Sequence, residues 1–487
     1  VVLLNGALQP AYAADGNRLT YLDKFCDPYY VGRDFPKLTT PQWVGEEGVE
    51  AVVALAIDDM RDTAKYEAYL RPILQRLKQI DGRAPVSIMT CDVDPADPQL
   101  QSWLQEGLSI ECHTIDHPCP LLQGGDFAKA KSTYDRCVDL MNQIPGNQPV
   151  AFRMPCCDSL NTPSPRFWAE IFNKTTENGN YLQIDTSVFN IITSKDKDLP
   201  RELVLDADGN ERFRKYLPFK SFVNTIEDYP YPYIIGGTCW EFPCIVPSDW
   251  EAQNIQQPNN PQTVEDMKAA LDAVVIKQGT FNLVFHPHGW IRNDQIVELI
   301  DHAVAKHGKK VKFLTFREAL DRIHRNLLGG RSLRSMDGSP NYIQLRDLNQ
   351  DGRLEVVNGN ANQQRHNASA KQLPMGVAIE QGRDTGLRFI DVNEDGFDDI
   401  IFSNGDRYSL YLWKNEEEGW SIKVIEGRRG QEGGIGPVIP MIVRADGTSN
   451  GAWFHSRSMW VQNEDTNRLP DLVERLSFDK MLEANVE

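Results

Sequence analysis

Between about residue 50 and residue 325, short apolar runs alternate with amphipathic stretches of helical period. Residues 52–57 form an unbroken apolar run that predicts a strand buried on both faces. A helix over 65–80 follows, then a strand at 86–90, a helix at 98–106, a strand at 108–111, a long helix at 126–141 and a strand at 150–153. A looser stretch rich in Pro and Tyr comes next. It leads to a strand at 281–285, a helix at 293–307 and a strand at 311–314. Strand–helix alternation of this kind is the signature of a β/α architecture, and seven or eight such strands suit a barrel, regular or irregular.

The pattern changes after residue 328. Residues 329–341 combine Gly, Ser, Pro and charge without periodicity and read as a linker. Beyond it a spaced pattern recurs. Asp347, Asn349, Asp351 and Gly352 are followed by Glu355; Asp391, Asn393, Asp395 and Gly396 are followed by Asp399; a degenerate third copy runs Asn463, Asp465, Asn467 and Asp471 without the Gly. Each copy ends in apolar residues such as Val356-Val357 and Ile400-Ile401. This is an internal repeat. Oxygens at positions one, three, five and nine suit one hard cation such as Ca2+, whereas an EF-hand would need an acid at twelve and flanking helices. Asp-Gly turns without metal are the plainer alternative.

Composition narrows the function. The chain has 487 residues, 41% of them hydrophobic and 25% charged, more than one core usually serves. A formal net charge of −18 argues against phosphate-directed nucleic-acid binding. No apolar run is long enough to predict a transmembrane helix. Residues 1–19 contain Ala11-Tyr12-Ala13 ahead of Ala14-Asp15, which reads as the remnant of a secretory signal and predicts an exported protein, periplasmic, cell-surface or secreted. All nine cysteines precede residue 245, an asymmetry that separates residues 20–328 from residues 342–487.

Candidate chemistry gathers where the predicted strands end, which in β/α barrels is where the loops converge. Asp58 and Asp59 are adjacent carboxylates after the first strand, able to divide the roles of base and metal ligand. His113 and His117 lie four apart, a spacing that suits two ligands to one metal if the segment turns helically. Arg153 ends another strand and can hold a carboxylate ionised. His286, followed by His288 and Trp290, is placed to act as a general acid.

In order and spacing, these Asp-Asp, His-Thr-x-x-His and Arg-x-Pro segments resemble the polysaccharide deacetylases of the NodB-homology type, carbohydrate esterase family four. The resemblance spans about residues 50 to 320. It implies a distorted (β/α) barrel, Asp58 as base, Asp59, His113 and His117 as ligands of Zn2+ or another divalent transition metal, Arg153 as orienter of the base, and His286 as acid. Met60 and Cys156 stand where the family usually has Gly and an aromatic residue. The family's segment that tunes the acid histidine has its best match at Asp185 to Phe189, with Val188 where the tuning carboxylate would be. His288, Asp185, Cys156 and Trp290 are accordingly expected near the substrate or behind the ligands. The His-Pro-x pattern also resembles allantoin-type amidohydrolases.

The C-terminal repeats resemble FG-GAP or VCBS repeats of β-propellers, which implies an all-β region, complete or partial, stiffened by Ca2+. The functional expectation is a metal-dependent deacetylase acting on an N-acetyl group of a carbohydrate, with a cell-surface or matrix glycan as a partner. The alternatives are an amidohydrolase of small C–N substrates and an inactive, calcium-stiffened adhesion or glycan-binding protein.

Overall fold

A computed structural model describes residues 29–157, 163–218, 222–347 and 383–483, together with 349, 351–358, 373, 374, 376 and 377. The expected signal remnant at 1–19 lies outside the described residues. A nine-stranded sheet organises the first region. Its first strand, β1 (Ala51–Met60), is buried along nearly its whole length, as an apolar run flanked on both faces by helices requires. It pairs in parallel with β2 (Val86–Thr90), which pairs with β3 (Ser109–Cys112), then β4 (Ala151–Phe152) and β5 (Ile184–Asp185).

The sheet continues through β9 (Cys239–Glu241) to the antiparallel β8 (Tyr233–Ile235). On the other side of β1 lies β11 (Thr280–Phe285), also parallel, and the first residues of β1 additionally pair with β12 (Val311–Phe313). Three short strands, β6 (Phe189–Ile191), β7 (Ile226–Glu227) and β10 (Cys244–Ile245), form a separate small sheet. The result is a curled, open sheet rather than a closed barrel.

Helices Thr63–Asp81, Pro98–Glu106, Phe127–Gln143, Pro261–Lys277 and Asn293–His307 cover the sheet. Their starts follow the capping chemistry of the sequence: the Asp62, Asp97 and Asp126 carboxylates accept backbone N–H groups of the first turns. Gly82 and Gly107 end two of them with φ of 72° and 97°, a left-handed conformation that costs glycine little.

The segment 329–341, expected as a linker, is docked on the sheet region. Arg334 is fully buried and donates to the carbonyls of Phe172, Leu182 and Gly338, with its guanidinium 4.4 Å from the Tyr181 ring. The hairpin of β13 (Ile343–Arg346) and β14 (Glu355–Asn358) follows, and Ile343 and Leu354 bury in one cluster with Trp43 and Leu320.

The remaining strands are all antiparallel. β15 (Leu387–Ile390), β16 (Asp399–Ser403), β17 (Arg407–Leu412) and β18 (Ile422–Arg428) make a four-stranded meander; β19 (Ala452–His455), β20 (Ser458–Val461) and β21 (Glu474–Ser477) make a three-stranded sheet. A ring of propeller blades is not formed among the described residues, because only one four-stranded sheet of the required kind is present there.

The third acidic copy is taken up in packing. The Asn463 amide is buried and donates to the Asn450 carbonyl, Asp465 pairs with Arg444, and Glu464 takes both arms of Arg166 at 2.5 and 2.7 Å. Without the Gly, the segment has become a bolt that fastens the C-terminal sheets to the first region instead of a cation loop.

Candidate active site

Parallel pairing brings the residues that follow each strand to one edge. Ile57 lies opposite Phe285, Cys112 opposite Thr90 and Phe152, and Phe152 opposite Asp185. Asp58 and Asp59, His113, Arg153, Thr186 and His286 therefore emerge side by side from segments far apart in the chain. In β1 the register with β2 shifts between Ile57 and Met60, a bulge that re-aims both Asp side chains. Asp59 itself has φ of 69°, and Thr114 and His117 have φ of 62° and 54°, a left-handed conformation uncommon outside glycine. The segment 113–117 is thus a bend rather than the helical turn expected for its spacing.

One carboxylate oxygen is the focus. Asp59 Oδ1 lies 3.1 Å from His113 Nε2 and 2.8 Å from His117 Nε2, and the ligand atoms of all three residues fall within 4.8 Å of one another. His113 Nδ1 sits 2.8 Å from the Arg153 carbonyl oxygen, which only accepts, so Nδ1 carries the proton. Nε2 then presents either a second proton or a lone pair to Asp59. A ring fixed by its distal N–H to a backbone carbonyl is the arrangement that metal-ligating histidines use. The donor set therefore fits a divalent ion.

Around this focus each partner is fixed by a second contact. The buried Asp58 accepts at Oδ1 from Arg153 Nη1 at 2.7 Å, while the Tyr66 hydroxyl donates to the Asp58 carbonyl. Arg153 is itself fully buried and donates to the Thr186 carbonyl, Thr186 Oγ1 and Asn282 Oδ1, so its guanidinium plane has no rotational freedom. His286 Nδ1 lies 2.8 Å from Asp249 Oδ1, and its backbone N–H donates to Asp249 Oδ2 at 2.8 Å. Its Nε2 faces Asp59 Oδ2 at 3.9 Å.

Burial alone would lower the His286 pKa; the Asp249 carboxylate, followed by Asp59 and Asp58, overcomes this and raises it to about 9. Burial likewise opposes ionisation of Asp59, but hydrogen bonds from His113, His117 and His288 hold its carboxyl well below the usual range. The site opens to solvent on one side, where the Asp59, His117 and His288 side chains are 21%, 30% and 27% exposed.

Asp58, Asp59, His113, His117 and Arg153 of this arrangement lie in the stretch in which the sequence also matches a known family: residues 45–163 match the polysaccharide deacetylase model. Members of that family are carbon–nitrogen hydrolases acting on non-peptide amide bonds, and the chain is an enzyme of that class. No curated protein matches the chain. Among solved structures, the polysaccharide deacetylase region is similar to a chitin deacetylase from Colletotrichum lindemuthianum at 17% identity, covering 59% of this chain and 92% of that one, with a TM-score of 0.29. It is also similar to the peptidoglycan deacetylase PdaC from Bacillus subtilis (15% identity, 57% and 95% covered, TM-score 0.29) and to Puue allantoinase (12% identity, 58% and 93% covered, TM-score 0.38).

The other expected residues divide. His288 joins the Asp59 cluster: Lys65 Nζ, which can only donate, lies 3.1 Å from its Nδ1, so its Nε2–H is the donor to Asp59 Oδ2 at 2.9 Å. Trp290 stands edge-on to both His286 and His288, with ring centroids 4.9 and 5.0 Å away. The remaining two brace the surrounding loops. Cys156 forms a disulfide with Cys119 and ties the loop after Arg153 to the loop after His117. Asp185 is buried, its oxygens accepting from Trp168 Nε1 and Ser187 Oγ; Ser187 Oγ in turn accepts from the Met154 N–H, so Asp185 buttresses the loop beyond Arg153 from behind.

The carboxylate beside the acid histidine comes from another segment. Val188 does not leave His286 without one, because Asp249 supplies it from the first turn of helix Asp249–Ile255, beyond β10. The only local signal was Ser248-Asp249 with Glu251, a capping box that announces a helix start rather than a catalytic partner.

The acidic loops behave locally. In the second, Asp391 Oδ1 and Asn393 Oδ1 both accept the Asp395 N–H at 3.1 Å, and Asp391 Oδ2 accepts the Gly396 N–H. The first repeats this through Asp347, Asn349, Asp351 and Gly352. Asp399 is buried and accepts the N–H groups of Val392 and Trp413; burial, ahead of these bonds, raises its pKa to about 7. Glu355 sits at the start of β14 opposite Arg346.

Proposed function

We propose that the chain is an exported deacetylase that uses a divalent transition metal to hydrolyse an N-acetyl group on a glycan. The observation that carries the metal reading is the convergence of His113 Nε2 and His117 Nε2 on a single oxygen of Asp59, with the His113 tautomer set by the Arg153 carbonyl. Asp59, His113 and His117 would hold the ion, with zinc the default for a His₂Asp set. When bound, such an ion polarises an amide carbonyl and makes a water easier to deprotonate.

The chain's own groups do the rest. Arg153 occupies Oδ1 of Asp58, which directs proton acceptance from the attacking water to Oδ2. Asp249 anchors Nδ1 of His286 and keeps the ring charged below about pH 9, so that Nε2 delivers a proton to the departing amine. Trp290 and His288 line the approach beside the acid and offer an aromatic face and a polar group to a sugar ring. Export is supported by the Cys119–Cys156 disulfide, a bond that persists in oxidising compartments.

The 347–355 and 391–399 loops are proposed calcium sites of the FG-GAP or VCBS kind. Oxygens of Asp391 and Asn393 that share one N–H donor must lie close together, and a cation beside Asp399 would relieve the burial that opposes its ionisation. The test of the enzymatic reading is acetate release from acetylated chito-oligomers and peptidoglycan fragments by native protein and by Asp59→Ala. The reading predicts turnover in the first and, in the second, no turnover and no metal held by His113 and His117; equal turnover in both would overturn it.

A further inference from the structure

On the outer face of the sheet region, a second pair of histidines converges on one carboxylate oxygen. Asp272 belongs to helix Pro261–Lys277, and His302 and His307 to helix Asn293–His307. His302 Nε2 lies 2.9 Å from Asp272 Oδ1 and His307 Nε2 lies 2.6 Å from the same atom; the three ligand atoms fall within 4.8 Å of one another. The donor types and the pattern of approach match those at Asp59, where the distances are 3.1 and 2.8 Å.

We propose that Asp272, His302 and His307 form a second binding site for a divalent transition metal of zinc-like preference, separate from the catalytic centre. Two imidazoles and one carboxylate oxygen are three of the four donors that a tetrahedral zinc takes, with water as the fourth. Lys306 Nζ holds the other carboxylate oxygen, Oδ2, at 2.7 Å. That contact leaves Oδ1 directed at the two rings, and a ligating carboxylate is ordinarily hydrogen-bonded at its second oxygen in this way. The Asp272 side chain is 7% exposed and those of His302 and His307 are 22% and 11% exposed, so the carboxylate is shielded while an ion still has access past His302.

The site would clip together the helices that precede and follow β11, the strand that leads directly into His286. Its role is to stabilise this flank, because a metal that binds only the folded arrangement shifts the folding equilibrium toward it. It supplies no base, acid or substrate groove: besides the three ligands, the charged partner that the structure gives Asp272 is Lys306.

The test is zinc stoichiometry and thermal shift on the full chain after chelator treatment and buffer exchange. Native protein is expected to take up about two tightly held zinc ions, Asp59→Ala about one, His302→Gln/His307→Gln about one, and the combined variant none. Zinc should still raise the Tm of Asp59→Ala and should lose that effect once His302 and His307 are replaced. His117→Gln replaces Asp59→Ala should the latter not fold. An Asp59→Ala protein that holds no zinc, or a His302→Gln/His307→Gln protein that retains the full native complement, would overturn the proposal. Since the second site is read by stoichiometry and the catalytic one by turnover, either can fail without the other.

Discussion

Two clusters in this molecule present the same ligands in nearly the same geometry, and only one of them sits in catalytic surroundings. At Asp59 the histidines approach a carboxylate at the ends of parallel strands, where Asp58, Arg153 and the Asp249–His286 pair are buried alongside. At Asp272 the same donors sit between two helices, beside Lys306. The difference teaches that the ligand set decides whether an ion can be held, while the strand-end surroundings decide whether anything can be done with it. Hydrolysis needs a base and an acid within reach of the same substrate atom.

The comparison can be broken most directly by exchanging its members. Asp59→Ala is expected to reduce deacetylation to background, whereas His302→Gln/His307→Gln leaves kcat/KM unchanged; initial rates on one acetylated oligomer compare the two. Loss of rate in the second protein would show that the clusters are not independent. His286→Ala removes the acid but leaves the ligands, and should lower kcat by about 10²–10⁴-fold with metal content retained.

Arg153→Ala strands the buried Asp58 carboxylate and should cost about 3–5 kcal/mol in denaturant unfolding, whereas Lys306→Ala, which frees a half-exposed lysine, should cost at most about 1 kcal/mol. The pH profile sharpens the contrast further. His286 is protonated below its raised pKa of about 9, so kcat/KM should fall as pH rises through that value. Asp249→Asn removes the charge that raises it, so the descending limb should move to lower pH; an unmoved limb would mean that His286 is not the acid.

Much of the scaffold was legible because it rests on local pattern. The apolar run at 52–57 lies inside β1, and the helices expected at 98–106 and 126–141 end within two residues of where they lie. The proposed site residues were legible because they lie at strand ends: Asp58 and Asp59 in the last residues of β1, and His113, Arg153 and His286 directly after β3, β4 and β11. What escaped was reached through space. Asp249 meets His286 from beyond a different strand, and nothing in its own neighbourhood distinguishes it from a helix start. Asp272, His302 and His307 sit on two helices, with the histidines five apart rather than four, so neither segment alone carries a ligand spacing. In the third acidic copy, which lacks the Gly, the spacing left a cation loop and a plain turn equally open, and Glu464, one residue off that pattern, turns inward to Arg166 and fixes the segment as an interface.

The central claim is that an ion shared by Asp59, His113 and His117 supports amide hydrolysis at the strand ends. Chelator-treated protein should be inactive on an acetylated chito-oligomer and recover turnover in proportion to added zinc, in native and His302→Gln/His307→Gln proteins alike but not in Asp59→Ala. Full turnover by protein from which all metal has been removed would contradict it.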